Sequence, residues 1–280
     1  MRDIFPLDFW KMSGAGNDFI VIDHRDGRIP LADQPEFARL VCRRMFSVGA
    51  DGLILIEPPL DSSHDFSWHF YNSDGSVAEM CGNGSRCAAR FARAHGIAQD
   101  HMRFATLAGI VQAEVLTDSR VRVLLPVLPS LPSDVAVEVE GRRFAGHLLT
   151  VGVPHLVLFL EESEVPVVRW GRELRMSPQF QPAGVNVNFV RLATGNRIYV
   201  RTYERGVENE TMACGTGATA SAICAAAECG LRPPVTVVTS GGEELIINFT
   251  TNVDGAIAQV TLEGAARLIY RGSLTAEALD

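Results

Sequence analysis

The chain has 280 residues, enough for one large domain or two of ordinary size; 47% are hydrophobic and 21% charged, an ordinary globular composition. A net charge of −8 excludes a basic nucleic-acid surface and disfavours an anionic membrane as partner. Lys11 is the only lysine and lies beside no phosphate-binding pattern, which excludes most lysine Schiff-base chemistry, pyridoxal phosphate included.

Short apolar or alternating runs dominate the chain and read as strands: Phe19–Asp23, Leu53–Glu57, Val121–Leu125, Val135–Glu140, Leu156–Leu160, Arg197–Tyr203, Val235–Thr239, Glu244–Phe249 and Ala258–Leu262. Helical patterns are fewer. Gln34–Met45 puts Phe37, Leu40 and Val41 on one face, with Pro35 suited to a first turn. Ser85–His95 and Ala218–Cys229 are alanine-rich helices that stop at Gly96 and Gly230. No run approaches the ~18 apolar residues of a membrane span, and Met1 to Trp10 lacks the basic start and apolar stretch of a signal peptide. A cytoplasmic protein with its six cysteines reduced is expected.

A weak internal repeat organises the chain. One half carries FYNSDGSVAEMCGNGSRCAAR, the other YVRTYERGVENETMACGTGATASA. Each runs from a strand through a polar turn, an acidic residue and a Met to a CGxG turn and an alanine-rich helix. Cys81 and Cys214 stand close to half the chain length apart. Two similar α/β (α+β) domains are expected, with the proline-rich stretch Pro126–Asp134 as linker.

A cysteine at a helix N-terminus meets free N–H donors and the positive end of the helix dipole. Both favour thiolate, and such thiols are shifted from ~8.5 towards ~3.5–7.5. The glycines let backbone N–H groups approach a carboxylate closely. If two such turns faced one substrate, one thiolate would remove the proton beside its carboxylate and the other thiol would return one to the opposite face. That is inversion at carbon without a cofactor. Zinc is a poor alternative: Cys81 and Cys87 enclose five residues with no histidine pair, and Cys224 and Cys229 fall within a helix. Cys42, Cys87, Cys224 and Cys229 read as buried small hydrophobes.

At these residues the sequence resembles the diaminopimelate epimerase family. Lys11–Asp23, Gly49–Pro58, Phe70–Cys87, Gly152–His155, Gly184–Phe189, Thr202–Ala218 and Leu262–Gly272 match family segments in order. The resemblance implies two pseudo-symmetric domains, each a strand-rich, barrel-like sheet around a central helix. Their expected spans are 1–125 with 262–280, carrying Cys81, and 126–261, carrying Cys214. It implies epimerisation of LL-diaminopimelate to meso-diaminopimelate in lysine biosynthesis, no metal or other cofactor, and a homodimer. Carried over residue by residue, Cys81 and Cys214 become the acid/base pair. Gly82, Asn83, Gly215 and Thr216 would hold the reacting end of the substrate. Asn17, Asn72, Asn186, Glu204 and Arg205 match substrate-binding positions, with Arg205 able to grip a remote carboxylate in bidentate fashion. His155 and Glu204 match residues that order the site. Many members have Asn where this chain has Val153, some have Gln at Gly52, and Glu208–Thr211 looks like a small insertion. Related two-cysteine proline racemases share the logic, but their first turn usually reads CGHG.

Overall fold

The computed structural model describes residues 2–117, 119–125, 128–162 and 164–280. It divides into two compact units, Met1–Pro126 with Gly264–Asp280, and Val127–Glu263. Pro126 and Val127, the start of the stretch read as linker, lie outside the described residues.

The first unit contains β1 (Leu7–Gly14), β2 (Asn17–Asp23), α1 (Gln34–Val41), β3 (Gly52–Glu57), β4 (Phe66–Asn72), α2 (Gly82–Ala94), β5 (His101–Thr106), β6 (Gly109–Thr117) and β7 (Arg120–Leu124). The second contains β8 (Ser133–Val139), β9 (Arg142–Val151), β10 (Val153–Phe159), α3 (Val167–Arg175), β11 (Asn186–Leu192), β12 (Arg197–Glu204), β13 (Asn209–Thr211), α4 (Gly215–Cys229), β14 (Val235–Thr239), β15 (Glu244–Thr251) and most of β16 (Ile257–Ala265). β17 (Arg267–Leu274) belongs to the first unit.

Strand pairing makes the repeat explicit. In the first unit the strands run β17-β1-β2-β3-β4-β5-β6-β7, and β2–β3 and β4–β5 are parallel while all other neighbours are antiparallel. In the second they run β8-β9-β10-β11-β12-β14-β15-β16, with β10–β11 and β12–β14 parallel and the rest antiparallel. The order and sense are the same. Each parallel step needs a crossover, and α1 and α2 in one unit, α3 and α4 in the other, supply it. The expected mixed α/β, pseudo-symmetric, strand-rich architecture is the one observed.

The helix at the centre of each unit is buried nearly all round, which its small residues permit. Gly217 to Ala225 of α4 are all buried, as are Asn83 to Ala89, Phe91 and Ala92 of α2. α2 packs on β1, β2, β3, β6 and β7; α4 packs on β9, β10, β11, β12, β14 and β15. α1 seals the outer face of its sheet by burying Phe37, Ala38 and Val41 against Ile20, Ile22, Leu53 and Leu55. Full burial of one such large side chain stabilises by roughly 1.5–3 kcal/mol.

Several boundaries differ from the sequence reading. α1 ends at Val41 rather than Met45, because the chain doubles back and the amides of Gly49 and Ala50 take the carbonyls of Val41 and Cys42. α2 and α4 begin at Gly82 and Gly215, so the CGxG glycines lie in the helices and not before them. α3 was not anticipated: Gly171 interrupts its pattern, yet a Cβ there would come within 2.3 Å of Tyr203, so the packing demands glycine. Gly230 caps α4 at φ 68°, a left-handed conformation natural to glycine.

Candidate active site

Cys81 is the N-cap of α2 and Cys214 the N-cap of α4, both with extended backbone. Each thiol fills the place of a capping oxygen. Gly84 N–H donates to Cys81 Sγ at 3.5 Å, and Gly217 N–H donates to Cys214 Sγ at 3.4 Å. The two units thus build the same device twice. Cys214 is buried and Cys81 half-buried.

Around Cys81, Asn17 is the neighbouring side chain that the sequence singled out. The Cys81 thiol donates to Asn17 Oδ1 at 3.8 Å. Asn17 Nδ2 donates to Asp51 Oδ2 at 2.6 Å, which turns the amide oxygen towards sulfur. Asp51 and Asp18 are held together by Arg44, and Asp18 also pairs with the buried Lys11 at 2.7 Å. Burial opposes ionisation of Asp18, but Arg44 and Lys11 outweigh it and hold its carboxyl at about 2. The lone lysine is therefore occupied in an ion pair and also donates to the Gly49 carbonyl. Asn83 is buried in the first turn of α2, and its Oδ1 accepts from Arg86 Nη2 at 2.7 Å. Asn72, the last residue of β4, is exposed and donates to Ser76 Oγ at 2.9 Å. Asp74 likewise accepts from Ser76. Gly82 has open space around the position of a Cβ.

Around Cys214, Thr216 Oγ1 lies 3.4 Å from the sulfur, and the Glu204 carboxyl is hydrogen-bonded to the thiol. Burial pushes Glu204 above the usual carboxylate range, partly offset by bonds from Thr211 and Cys214. Thr211 Oγ1 donates to Glu204 Oε2 at 2.9 Å. The Asn209–Thr211 part of the apparent insertion is β13, which pairs with β12 and so brings Thr211 to Glu204. Asn186 Oδ1 accepts from the Arg205 N–H at 2.7 Å, and Arg205 Nη1 donates to the Ala183 carbonyl at 2.8 Å. Gly215 faces Leu262, whose Cδ1 would lie 3.1 Å from an added Cβ. His155 is wholly buried on β10 beside Asn186 of β11. Burial, and then the positive charge of Arg205, push its pKa down to about 3.

Sequence reading missed Asp51, Asn188, Thr202 and Thr211. Asn188 left a signal: it is polar between Val187 and Phe189–Val190, which are apolar and buried. Among the described residues, Asp134, His147 and Glu228 each bring one potential metal ligand within 4.8 Å of the others. This group sits at the opposite end of α4 from Cys214, and a hydrogen bond of 3.2 Å between His147 and Asp134 accounts for its closest approach. No helix among the described residues is long and apolar enough to cross a membrane.

The model of the family "Diaminopimelate epimerase" matches residues 9–125 and 147–268. The diaminopimelate epimerase of Aquifex aeolicus (strain VF5) is 46% identical over 98% of this chain and 100% of its own. That of Hydrogenobaculum sp. (strain Y04AAS1) is 42% identical over 95% and 98%. Among solved structures, a hydroxyproline epimerase from Agrobacterium vitis superposes with a TM-score of 0.70 at 16% identity, covering 99% of this chain and 94% of that one. A PhzF-family phenazine biosynthesis protein from Bacillus anthracis gives 0.73 at 12% identity over 96% and 98%. At such identities these two share the fold alone.

Proposed function

The chain belongs to the diaminopimelate epimerase family, and from that premise we propose that it interconverts LL- and meso-diaminopimelate with Cys81 and Cys214 as its acid/base pair. The observation that carries this reading is the duplicated N-cap: two thiols, one in each pseudo-symmetric unit, each receiving a backbone N–H from the second glycine of its CGxG turn.

The chemistry follows from those donors. A thiolate takes the proton from the α-carbon and becomes a thiol. The electron pair left behind spreads into the carboxylate as an enediolate. The opposite thiol delivers its proton to the other face of the carbon and becomes a thiolate. Configuration inverts, and exchange with water resets the pair. The hard step is the weak acidity of the α-proton. Oriented N–H donors at the developing oxyanion supply roughly 3–4 kcal/mol per key donor, and the first turns of α2 and α4 offer such donors around Gly82, Asn83, Gly215 and Thr216. Glu204 and Thr216 adjoin Cys214, and Asn17 adjoins Cys81, so each thiol has a polar neighbour able to orient it. Arg205 would take the remote carboxylate. Its place in lysine biosynthesis follows from this substrate. Action in the cytoplasm and assembly as a homodimer complete the proposal.

The test is proton exchange in D₂O, followed by NMR, with LL-diaminopimelate and a panel of ordinary L-amino acids. Exchange and inversion of diaminopimelate alone, lost in Cys81→Ala and in Cys214→Ala, is the expected result. Turnover of a different amino acid only would keep the mechanism and replace the substrate. Full activity in either alanine variant would sink the two-thiol mechanism.

A further inference from the structure

The two units share a strand order and a register, so positions beneath their central helices can be matched. β2 aligns Phe19 with Gly52 of the parallel β3, as β10 aligns His155 with Asn186 of β11. Ile54 stands opposite Phe70, as Asn188 stands opposite Thr202. The glycines confirm the match: a Cβ on Gly84 would meet Ile54, and one on Gly217 would meet Asn188 and Thr202. Three matched positions are therefore apolar in one unit (Phe19, Ile54, Phe70) and polar in the other (His155, Asn188, Thr202). All six are buried. The apolar trio shows that the fold does not need polar groups there, and burying them costs free energy unless each is satisfied.

The bonding of the polar trio has one consistent solution. The Leu156 carbonyl can only accept, so the group 3.1 Å from it is the Asn188 NH₂. Asn188 Oδ1 then faces Thr202, whose hydroxyl donates to it at 2.9 Å. The same NH₂ lies 3.3 Å from His155 Nδ1, so Nδ1 must be the unprotonated nitrogen. The proton of the neutral ring sits on Nε2. That atom is buried and has no hydrogen-bond partner among the described residues.

We propose that Asn188, pinned by Thr202 and the Leu156 carbonyl, is a positioning residue that fixes His155 as the Nε2–H tautomer, and that this orphaned donor is kept for an oxygen of the substrate carboxylate. A donor of this kind accepts an anionic oxygen and rejects an ammonium group, so it distinguishes the two charged groups on the reacting carbon. The ligand half rests on the function proposed above; the tautomer half does not.

Long-range ¹H–¹⁵N spectra of the histidine-labelled enzyme test both, with His155→Gln assigning the signal. At pH 7 and without substrate, a neutral ring protonated at Nε2 is expected; protonation at Nδ1, or at both nitrogens, overturns the proposal. In Asn188→Asp an acceptor replaces the donor, and the proton should move to Nδ1 with kcat/KM reduced about 10- to 100-fold, the usual loss for an orienting partner. Asn188→Leu, apolar like its counterpart Ile54, keeps the packing if the aspartate variant does not fold, and both tautomers should then be populated. A single Nε2–H tautomer persisting in either folded variant removes Asn188 from the role. Added diaminopimelate should shift the Nε2–H proton. If the substrate binds and that proton does not move, the ligand assignment is wrong. If diaminopimelate neither binds nor exchanges, the proposed function fails while the substrate-free spectra still decide the tautomer.

Discussion

Gly217 lies against Asn188 so closely that a Cβ on the glycine would stand 2.3 Å from Asn188 Oδ1. Neither partner can yield: Asn188 is held on three sides, and Gly217 is in the first turn of a buried helix. Gly217→Ala should therefore destabilise the protein by about 1–3 kcal/mol, the range of an overpacked core, and displace Cys214 with the helix turn. Gly82→Ala meets nothing and should melt close to the parent. Thermal denaturation of the two variants checks this. A Gly217→Ala protein that melts like the parent would show that the first turn of α4 is not pressed on Asn188.

Glu204 is half-buried, its affinity for a proton is raised by that desolvation, and it touches the Cys214 thiol. A carboxyl whose folded pKa exceeds its unfolded one contributes stability below the unfolded value, and that contribution is lost as pH rises through the folded value. Glu204→Gln keeps the shape and never ionises. It should therefore be more resistant to denaturant than the parent at pH 8, with the difference closing towards pH 4. Catalysis should move the other way, falling about tenfold or more as a polar partner of the thiol changes character. A stability difference that is the same at both pH values would show that Glu204 does not titrate in this environment.

Lys11 makes the opposite case. Its partner Asp18 has a folded pKa of about 2, below the ~3.9 of a free aspartate. The ion pair thus contributes fully above about pH 4 and is lost as pH falls through about 2. Lys11→Met leaves Arg44 as the remaining counter-charge, so the cost should be about 1–3 kcal/mol at pH 6 rather than the larger penalty of an unpaired buried charge. Denaturant unfolding at pH 6 and pH 3 should show that gap narrowing in acid. An equal gap at both would assign the loss to packing alone.

Much of this was legible in the chain because it is written twice. The CGxG turns, the alanine-rich helices and their terminal glycines can be read from one strand of text, and their recurrence marks the pseudo-symmetry. What the sequence hid is long-range. β17 takes in the first unit the place that β8 takes in the second, and nothing local in Arg267–Leu274 says so. Gly171 looks like a helix breaker until Tyr203 is placed against it. Asn188 matters through three partners on two neighbouring strands, a role that only strand register reveals.

The six cysteines should separate cleanly by reactivity. Burial pushes Cys42, Cys87 and Cys224 up to about 12, so near pH 8 only about one thiol in ten thousand at each is ionised. Cys229, partly exposed, is raised more modestly. Cys81 and Cys214 each accept a helix N-terminal N–H instead, an arrangement that favours thiolate. Limiting iodoacetamide at pH 8, read peptide by peptide by mass spectrometry, should label Cys81 first because it is the more exposed, then Cys214, with activity falling in step. Cys42, Cys87 and Cys224 should stay unmodified until the protein is unfolded. Diaminopimelate should protect Cys81 and Cys214 and leave the slow labelling of Cys229 unchanged. Equal labelling of Cys87 and Cys81, six positions apart on the same helix segment, would contradict the contrast between a capping thiol and a core thiol on which the mechanism depends.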